Sequence, residues 1–269
     1  MDHRLRYRLE MLKAKGQGFF PFTSWATLLR LFTTPTLRWP MEDFVQLLES
    51  DEERGWRLYR SPLGEFWAPK EDGEALASTA IEILSGVYEQ GASRISPGDT
   101  VFDLGGNLGT FTRLALARGA GRVIVCEAHP TYRACIERTL AREIQTGRVT
   151  LVGQPVWSEK KVLRFAGSHL VGHVAAEGEE GVEMESVTLD EIVERLDLRQ
   201  VHFLKADIEG AERHALQGAV ELIRRQRPKI AFCVYHYEDD PEVMRAILRS
   251  YHQDYALSLD SSQRYIYAW

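Results

Sequence analysis

The stretch that most narrows the fold runs from an apolar strand pattern into glycines and then into a helix: "VFDLGGNLGTFT", Val101 to Thr112. It opens a long alternation. Helix ("TFTRLALARGA"), strand ("RVIVCEA"), helix ("PTYRACIERTLARE") and strand ("VTLVGQPVW") follow it. Further on come helix ("TLDEIVERL"), strand ("VHFLKADI"), helix ("AERHALQGAVELIRRQ"), strand ("KIAFCVYH") and helix ("PEVMRAILRSY"). Short apolar strands separated by helices imply an α/β fold, a parallel, doubly wound sheet with helices on both faces. The tail "YALSLDSSQRYIYAW" reads as two alternating runs around "DSSQ", a closing hairpin that adds an antiparallel strand.

Residues 1–75 differ in texture and are expected to form a small N-terminal helical and hairpin cap on a domain of residues 76–269. "TSWATLLRLFTTP" spaces Trp25, Leu28, Leu29 and Phe32 as one helical face, and "MEDFVQLLES" reads as a second short amphipathic helix. "WRLYRSPLGEFWAP" suggests a hairpin around its "SPLG" turn. Phe19, Phe20, Phe22, Trp25, Phe66 and Trp67 could wall a substrate site as a lid, but for most of them cap packing or a dimer contact is the expected role. A homodimer through this region is left open. The helix "EALASTAIEILSGVYEQG" leads into the domain, and "GSHLVGHVAAEGEEG" reads as an irregular loop.

Composition excludes several partners. A formal charge of −6 gives no general attraction for phosphate backbones, so nucleic acid is not expected. Three cysteines, Cys126, Cys135 and Cys233, lie in or beside apolar runs without metal-binding spacing and are expected as buried thiols of a reducing compartment. The charged N-terminus lacks the apolar core of a signal peptide, and no run of about 18 apolar residues predicts a transmembrane helix. The expected location is cytoplasmic.

In a doubly wound sheet the ligand lies over the carboxyl ends of the strands, where the first turn presents backbone N–H groups. From Gly105, however, the dinucleotide fingerprint would need glycines where Asn107 and Thr110 stand. The pattern is instead D-x-G-x-N-x-G, with Asp103 two residues before Gly105. An acid there disfavours a pyrophosphate and suits an ammonium group, such as the one on the methionine part of S-adenosylmethionine. Glu127, ending "VIVCE", stands where a carboxylate accepts both hydrogen bonds of a ribose diol.

"SPGDTVFDLGGNLGTFT", "VCEAHP", "TLDEI", "HFLKADIEGAERHALQGA" and "KIAFCVYHYEDDPE" together resemble the FkbM family of S-adenosylmethionine-dependent methyltransferases, from about Tyr88 to the C-terminus. The most specific element is "KADIEGAE". The resemblance implies the class I methyltransferase fold, a Rossmann-like, mostly parallel seven-stranded sheet with an antiparallel terminal hairpin. It also implies O-methylation of a hydroxyl on a small molecule, sugar or natural product. It places cofactor contacts at Asp103, Gly105, Asn107, Gly109 and Glu127, and Asp207 beside the reacting methyl. The chain departs from the family at Glu127-Ala128, where "EP" is more usual, and at Leu259 to Ser261, where "RHY" is frequent.

Methyl transfer to oxygen needs a positioned hydroxyl and a destination for its proton. His236, ending the strand "AFCVYH", is the leading candidate for general base alongside Asp207, with His173 a weaker one on the glycine-rich loop. Lys205 shares a strand face with Asp207 and is expected in an internal ion pair, with Glu212 as the candidate partner. Asp207, Asp239 and Asp240 could hold Mg²⁺, but "EDDP" also suits a helix N-terminus, and metal is not the favoured reading. Three other functions compete: a nucleic-acid or nitrogen methyltransferase on the same fold, an NAD-dependent oxidoreductase, and a non-catalytic cofactor-binding module.

Overall fold

A computed structural model describes residues 45–168, 171–175 and 179–269. The first helix expected above, the aromatics at 19–25 and any N-terminal dimer contact lie outside these residues. The described chain opens with an antiparallel sheet of β1 (Gln46–Asp51), β2 (Trp56–Ser61) and β3 (Gly64–Pro69). The hairpin β2–β3 turns where "SPLG" predicts it. β1 corrects the second expected helix: Gln46–Asp51 pairs along β2, and the backbone bonds of that pairing outweigh a weak helical periodicity. Phe66 and Ala68 are fully buried with Leu76, Leu108 and Tyr132, and Trp67 is nearly so. These two aromatics are therefore cap packing and not a lid.

A helix, α1 (Gly73–Leu84), leads to β4 (Thr100–Leu104), α2 (Thr110–Ala117) and β5 (Arg122–Cys126). α1 runs across the expected boundary at 75/76. Pro130 starts α3 (Pro130–Thr139), where its missing N–H is no loss. α4 (Ala141–Gln145) follows after a break at Leu140, and β6 (Val149–Val152) closes this half. Part of the glycine-rich segment is strand where a loop is expected: β7 (Val162–Ser168) pairs antiparallel with both β8 (Val171–Val174) and β9 (Val182–Glu185).

Thr188 caps α5 (Leu189–Arg195) by accepting the Glu191 N–H at 3.0 Å, and β10 (Phe203–Ala206) follows. The helix expected over 211–226 is split at Gly218 into α6 (Glu212–Gln217) and α7 (Val220–Gln226). β11 (Lys229–Cys233), α8 (Asp240–Tyr251), β12 (Leu257–Leu259) and β13 (Tyr265–Ala268) complete the chain.

The main sheet has seven strands in the order β12-β13-β11-β10-β4-β5-β6, with β13 antiparallel to both neighbours and β4, β5, β6, β10 and β11 parallel. Both faces are covered, which is why its strands read as unbroken apolar runs. Phe102, Leu104, Ile124, Leu204 and Phe232 pack against residues of α5–α8, while Val101, Val123, Phe203 and Ala231 pack against residues of α1–α3. All three cysteines are buried and free, as expected. Among the described residues no helix is long and apolar enough to cross a membrane.

Candidate active site

The strand order reverses between β4 and β10, the position at which open α/β sheets bind ligands beyond their carboxyl ends. A cavity of about 220 Å³ lies there. The glycine turn, Glu127, Tyr88, Lys205, Asp207 and Glu209 line it, with Thr79 and Glu82 from α1. Phe165 and Val174 line it as well, so the β7–β9 sheet forms part of its wall.

Gly105 follows β4, and its φ of 79° is in the left-handed region. A side chain there would overlap the backbone oxygen of Asp207, so glycine is needed for conformation and for close approach together. Gly105 and Gly106 donate N–H bonds to the Cys126 carbonyl at 2.9 and 3.2 Å, which fixes the turn to the end of β5. Asn107, at φ 49°, adopts the left-handed conformation that asparagine tolerates better than most residues. Gly109, at φ 83°, occupies the N-cap of α2.

Glu127 closes this turn. Its Oε2 accepts the Asn107 N–H at 2.7 Å and its Oε1 the His129 N–H at 2.8 Å. Burial pushes its carboxyl up to about 7, although those two N–H groups pull the other way.

Asp103 sits elsewhere than expected. It is fully buried, accepts the Thr112 hydroxyl at 2.7 Å, and lies 3.0 Å from Lys205 Nζ. Register explains the pair: Lys205 of β10 is the direct partner of Asp103 on the neighbouring β4. Lys205, not Asp103, reaches the cavity, and its ammonium also donates to the carbonyls of Leu104 (3.1 Å) and Gly105 (2.7 Å). Burial pulls its pKa down, but Asp103 and Asp207 outweigh that and hold it above the usual lysine value. The internal ion pair expected of Lys205 exists, with Asp103 and not Glu212 as partner.

Asp207 follows β10 and is held from two sides. The Tyr88 hydroxyl donates to its Oδ2 at 3.0 Å and the Tyr235 hydroxyl to its Oδ1 at 3.1 Å. Beyond it the chain makes a left-handed turn at Glu209 and Gly210, φ 55° and 93°. This turn carries Glu209 to His236, whose Nε2 lies 3.3 Å from Glu209 Oε2 and 3.9 Å from Asp207 Oδ1. Its Nδ1 lies 3.4 Å from Glu212 Oε2. Burial disfavours the imidazolium, but Glu209, Glu212 and Asp207 prevail and push its pKa up to about 10. At neutral pH His236 already holds a proton, which removes it as the general base.

The other candidates lie apart. His173 pairs across the ladder with Ala166, while the adjacent pair Phe165–Val174 lines the cavity; alternation along a strand turns His173 to the opposite face. Its ring nitrogen meets Glu179 at 3.1 Å. Asp239 and Asp240 are both engaged by the Arg213 guanidinium, so they do not join Asp207 in a metal site. Sequence pattern alone assigns no role to Tyr88, Tyr235 or Glu209. Tyr88 and Tyr235 carry no motif spacing, while Glu209, inside "KADIEGAE", could have been suspected.

The strand order, the reversed last strand and the acid-closed glycine turn define a class I methyltransferase fold. Residues 103–256, more than half of the chain, match the family described as "Methyltransferase FkbM domain", and the chain belongs to that family. Among solved structures it is similar to a methyltransferase FkbM from Methylobacillus flagellatus KT, at 19% identity and a TM-score of 0.51. That similarity covers 75% of this chain and 56% of the other, so the chain spans little more than half of that relative's length. A precorrin-6Y C5,15-methyltransferase from Geobacter metallireducens GS-15 superposes at 15% identity and a TM-score of 0.39, covering 65% of this chain and 82% of that one. The METTL16 methyltransferase domain does so at 10% identity and 0.43, covering 72% and 66%. A search among curated protein sequences gives no match.

Proposed function

We propose that this protein is an S-adenosylmethionine-dependent methyltransferase that methylates a hydroxyl oxygen of a small molecule, a sugar or natural product among them. The observation that carries this is the cavity at the β4–β10 reversal, lined by Glu127, the glycine turn and Asp207 together. The residues suit the cofactor: Glu127 has acceptor capacity for a ribose diol beyond its two backbone bonds, and the turn from Gly105 to Asn107 lets the ligand approach the main chain. Asp103 would act indirectly, by fixing Lys205 beneath the methionine end.

Bound there, S-adenosylmethionine supplies an electrophilic methyl: the acceptor oxygen forms the new C–O bond while the C–S pair stays on sulfur, leaving S-adenosylhomocysteine. Asp207 orients the hydroxyl and takes its proton, and the hydrogen bonds from Tyr88 and Tyr235 keep its carboxylate fixed for that task. His236 lies against Glu209 and Asp207 and does not receive the proton. The carboxylates of Glu82, Asp207 and Glu209 on the cavity, with the net charge of −6, oppose a nucleic-acid acceptor.

The test is Asp207→Asn, assayed with labelled methyl donor across sugar, polyketide, lipid and peptide hydroxyls. Transfer is expected to fall about 10²–10⁴-fold while S-adenosylhomocysteine affinity stays within about threefold. Unchanged transfer removes Asp207 from the chemistry. Saturable binding of NADH in place of S-adenosylhomocysteine by wild type overturns the whole reading.

A further inference from the structure

We propose that Asp207, Glu209 and His236 form a binding site for one divalent transition-metal ion at the acceptor end of the cavity. Each offers one ligand atom, and the three atoms lie within 4.8 Å of one another. The separations come close to those of a common cation. With bonds of about 2.1 Å, neighbouring ligand atoms stand about 3.0 Å apart at right angles and about 3.4 Å apart in a tetrahedron. His236 Nε2 is 3.3 Å from Glu209 Oε2, inside that range, and 3.9 Å from Asp207 Oδ1, so the Asp207 carboxylate must swing in by about 0.5 Å to ligate the same ion.

The surroundings of the imidazole supply an independent indication. Both His236 ring nitrogens are buried, and neither makes a hydrogen bond of acceptable geometry, although carboxylate oxygens surround them. On the far side of the ring, Nδ1 faces Glu212 Oε2 at 3.4 Å. Glu212 is 1% exposed and is itself anchored by the backbone N–H groups of Ile208 (2.6 Å) and Gly210 (3.0 Å). A carboxylate behind a histidine, with the other ring nitrogen turned to two further carboxylates, is the outer-shell arrangement that orients histidine toward a metal. Charge agrees. Three carboxylates face His236, while Lys205 pairs with Asp103 and Arg213 with Asp239 and Asp240.

One nitrogen and two oxygen donors suit Mn²⁺, Fe²⁺ or Zn²⁺ better than Mg²⁺ or Ca²⁺, which prefer oxygen throughout. Three protein ligands leave coordination positions open, and Asp207 and Glu209 both line the cavity. Resting on the methyl-transfer reading above, the cation would displace the imidazolium proton of His236, bind the neutral ring through Nε2, receive the acceptor hydroxyl and ease loss of its proton.

Binding is tested with Mn²⁺ alone, without methyl donor or acceptor, on protein stripped with chelator. Titration calorimetry is expected to give one saturable Mn²⁺ per chain, and pulsed electron paramagnetic resonance a nitrogen hyperfine coupling from a directly bound imidazole. Glu209→Gln and His236→Gln should each weaken binding at least tenfold, and His236→Gln should abolish the nitrogen coupling, while Asp239→Asn leaves both unchanged. No saturable binding of Mn²⁺ or Zn²⁺ up to about 1 mM, or bound Mn²⁺ without nitrogen coupling in wild type, overturns the site. The wild-type spectrum decides even if a variant fails to fold. Metal binding without any methyl transfer would leave the site standing and count against the function proposed above.

Discussion

Glu127 offers a test in which the fold and the cofactor pull in opposite directions. Burial raises its carboxyl from the ordinary 4.5 to about 7, so near neutral pH it is divided between its acid and its carboxylate. Only the carboxylate can accept both hydroxyls of a ribose diol while keeping the N–H bonds from Asn107 and His129. About 3% of Glu127 is ionised near pH 5.5 and about 97% near pH 8.5, so S-adenosylhomocysteine affinity should rise about 30-fold across that interval. Stability has the opposite sign. A carboxyl raised on folding contributes fully below 4.5, and its contribution is lost as pH rises through about 7. The displacement corresponds to about 3 kcal/mol at about 1.4 kcal/mol per pH unit. Glu127→Gln should therefore be more stable than wild type near pH 8.5 by up to about 2 kcal/mol, after about 1 kcal/mol for a weakened hydrogen bond. That advantage should vanish near pH 4. Calorimetric titration of S-adenosylhomocysteine and urea denaturation across pH measure the two effects. A wild-type affinity that changes less than about threefold, or a Glu127→Gln variant that titrates like wild type, overturns the assignment of Glu127 to the ribose.

Gly105→Ala combines a left-handed backbone with overlap of the Asp207 carbonyl, a backbone atom that cannot swing away. It should cost about 3 kcal/mol or more in denaturant, and a loss under about 1 kcal/mol would show that the turn is not held as described. Lys205→Met leaves Asp103 as a buried charge without its cation and should cost about 3–5 kcal/mol. Adding Asp103→Asn should recover part of that loss, and two additive losses in a double-mutant cycle would argue against the pair.

Legibility differed from element to element. β4, β5, β10 and β11 stood out because strands buried on both faces are written as short apolar runs. β1 did not: it is a half-exposed edge strand whose conformation comes from its pairing with β2, and its own residues suit a helix as well. The breaks at Leu140 and Gly218 interrupt patterns that look continuous. At Gly218 a side chain would overlap the Trp157 carbonyl, a neighbour 61 positions away that no local window contains.

The site divides in the same way. The glycine turn, Asn107 and Glu127 could be read because their conformational and chemical demands are local, a tight turn after one strand and an acid at the end of the next. Asp103 carries the right residue type, but its partner was decided by strand register, which set Lys205 of β10 directly across from it. His236 was placed correctly at the strand edge and given the wrong protonation. A histidine's charge depends on what surrounds it, and only the fold brings Asp207, Glu209 and Glu212 around this ring. Local pattern thus settled the succession of strands and helices and the place of the glycine turn. Packing settled which charges meet, because electrostatic energy depends on distance and burial, and neither is a property of a residue's position in the chain.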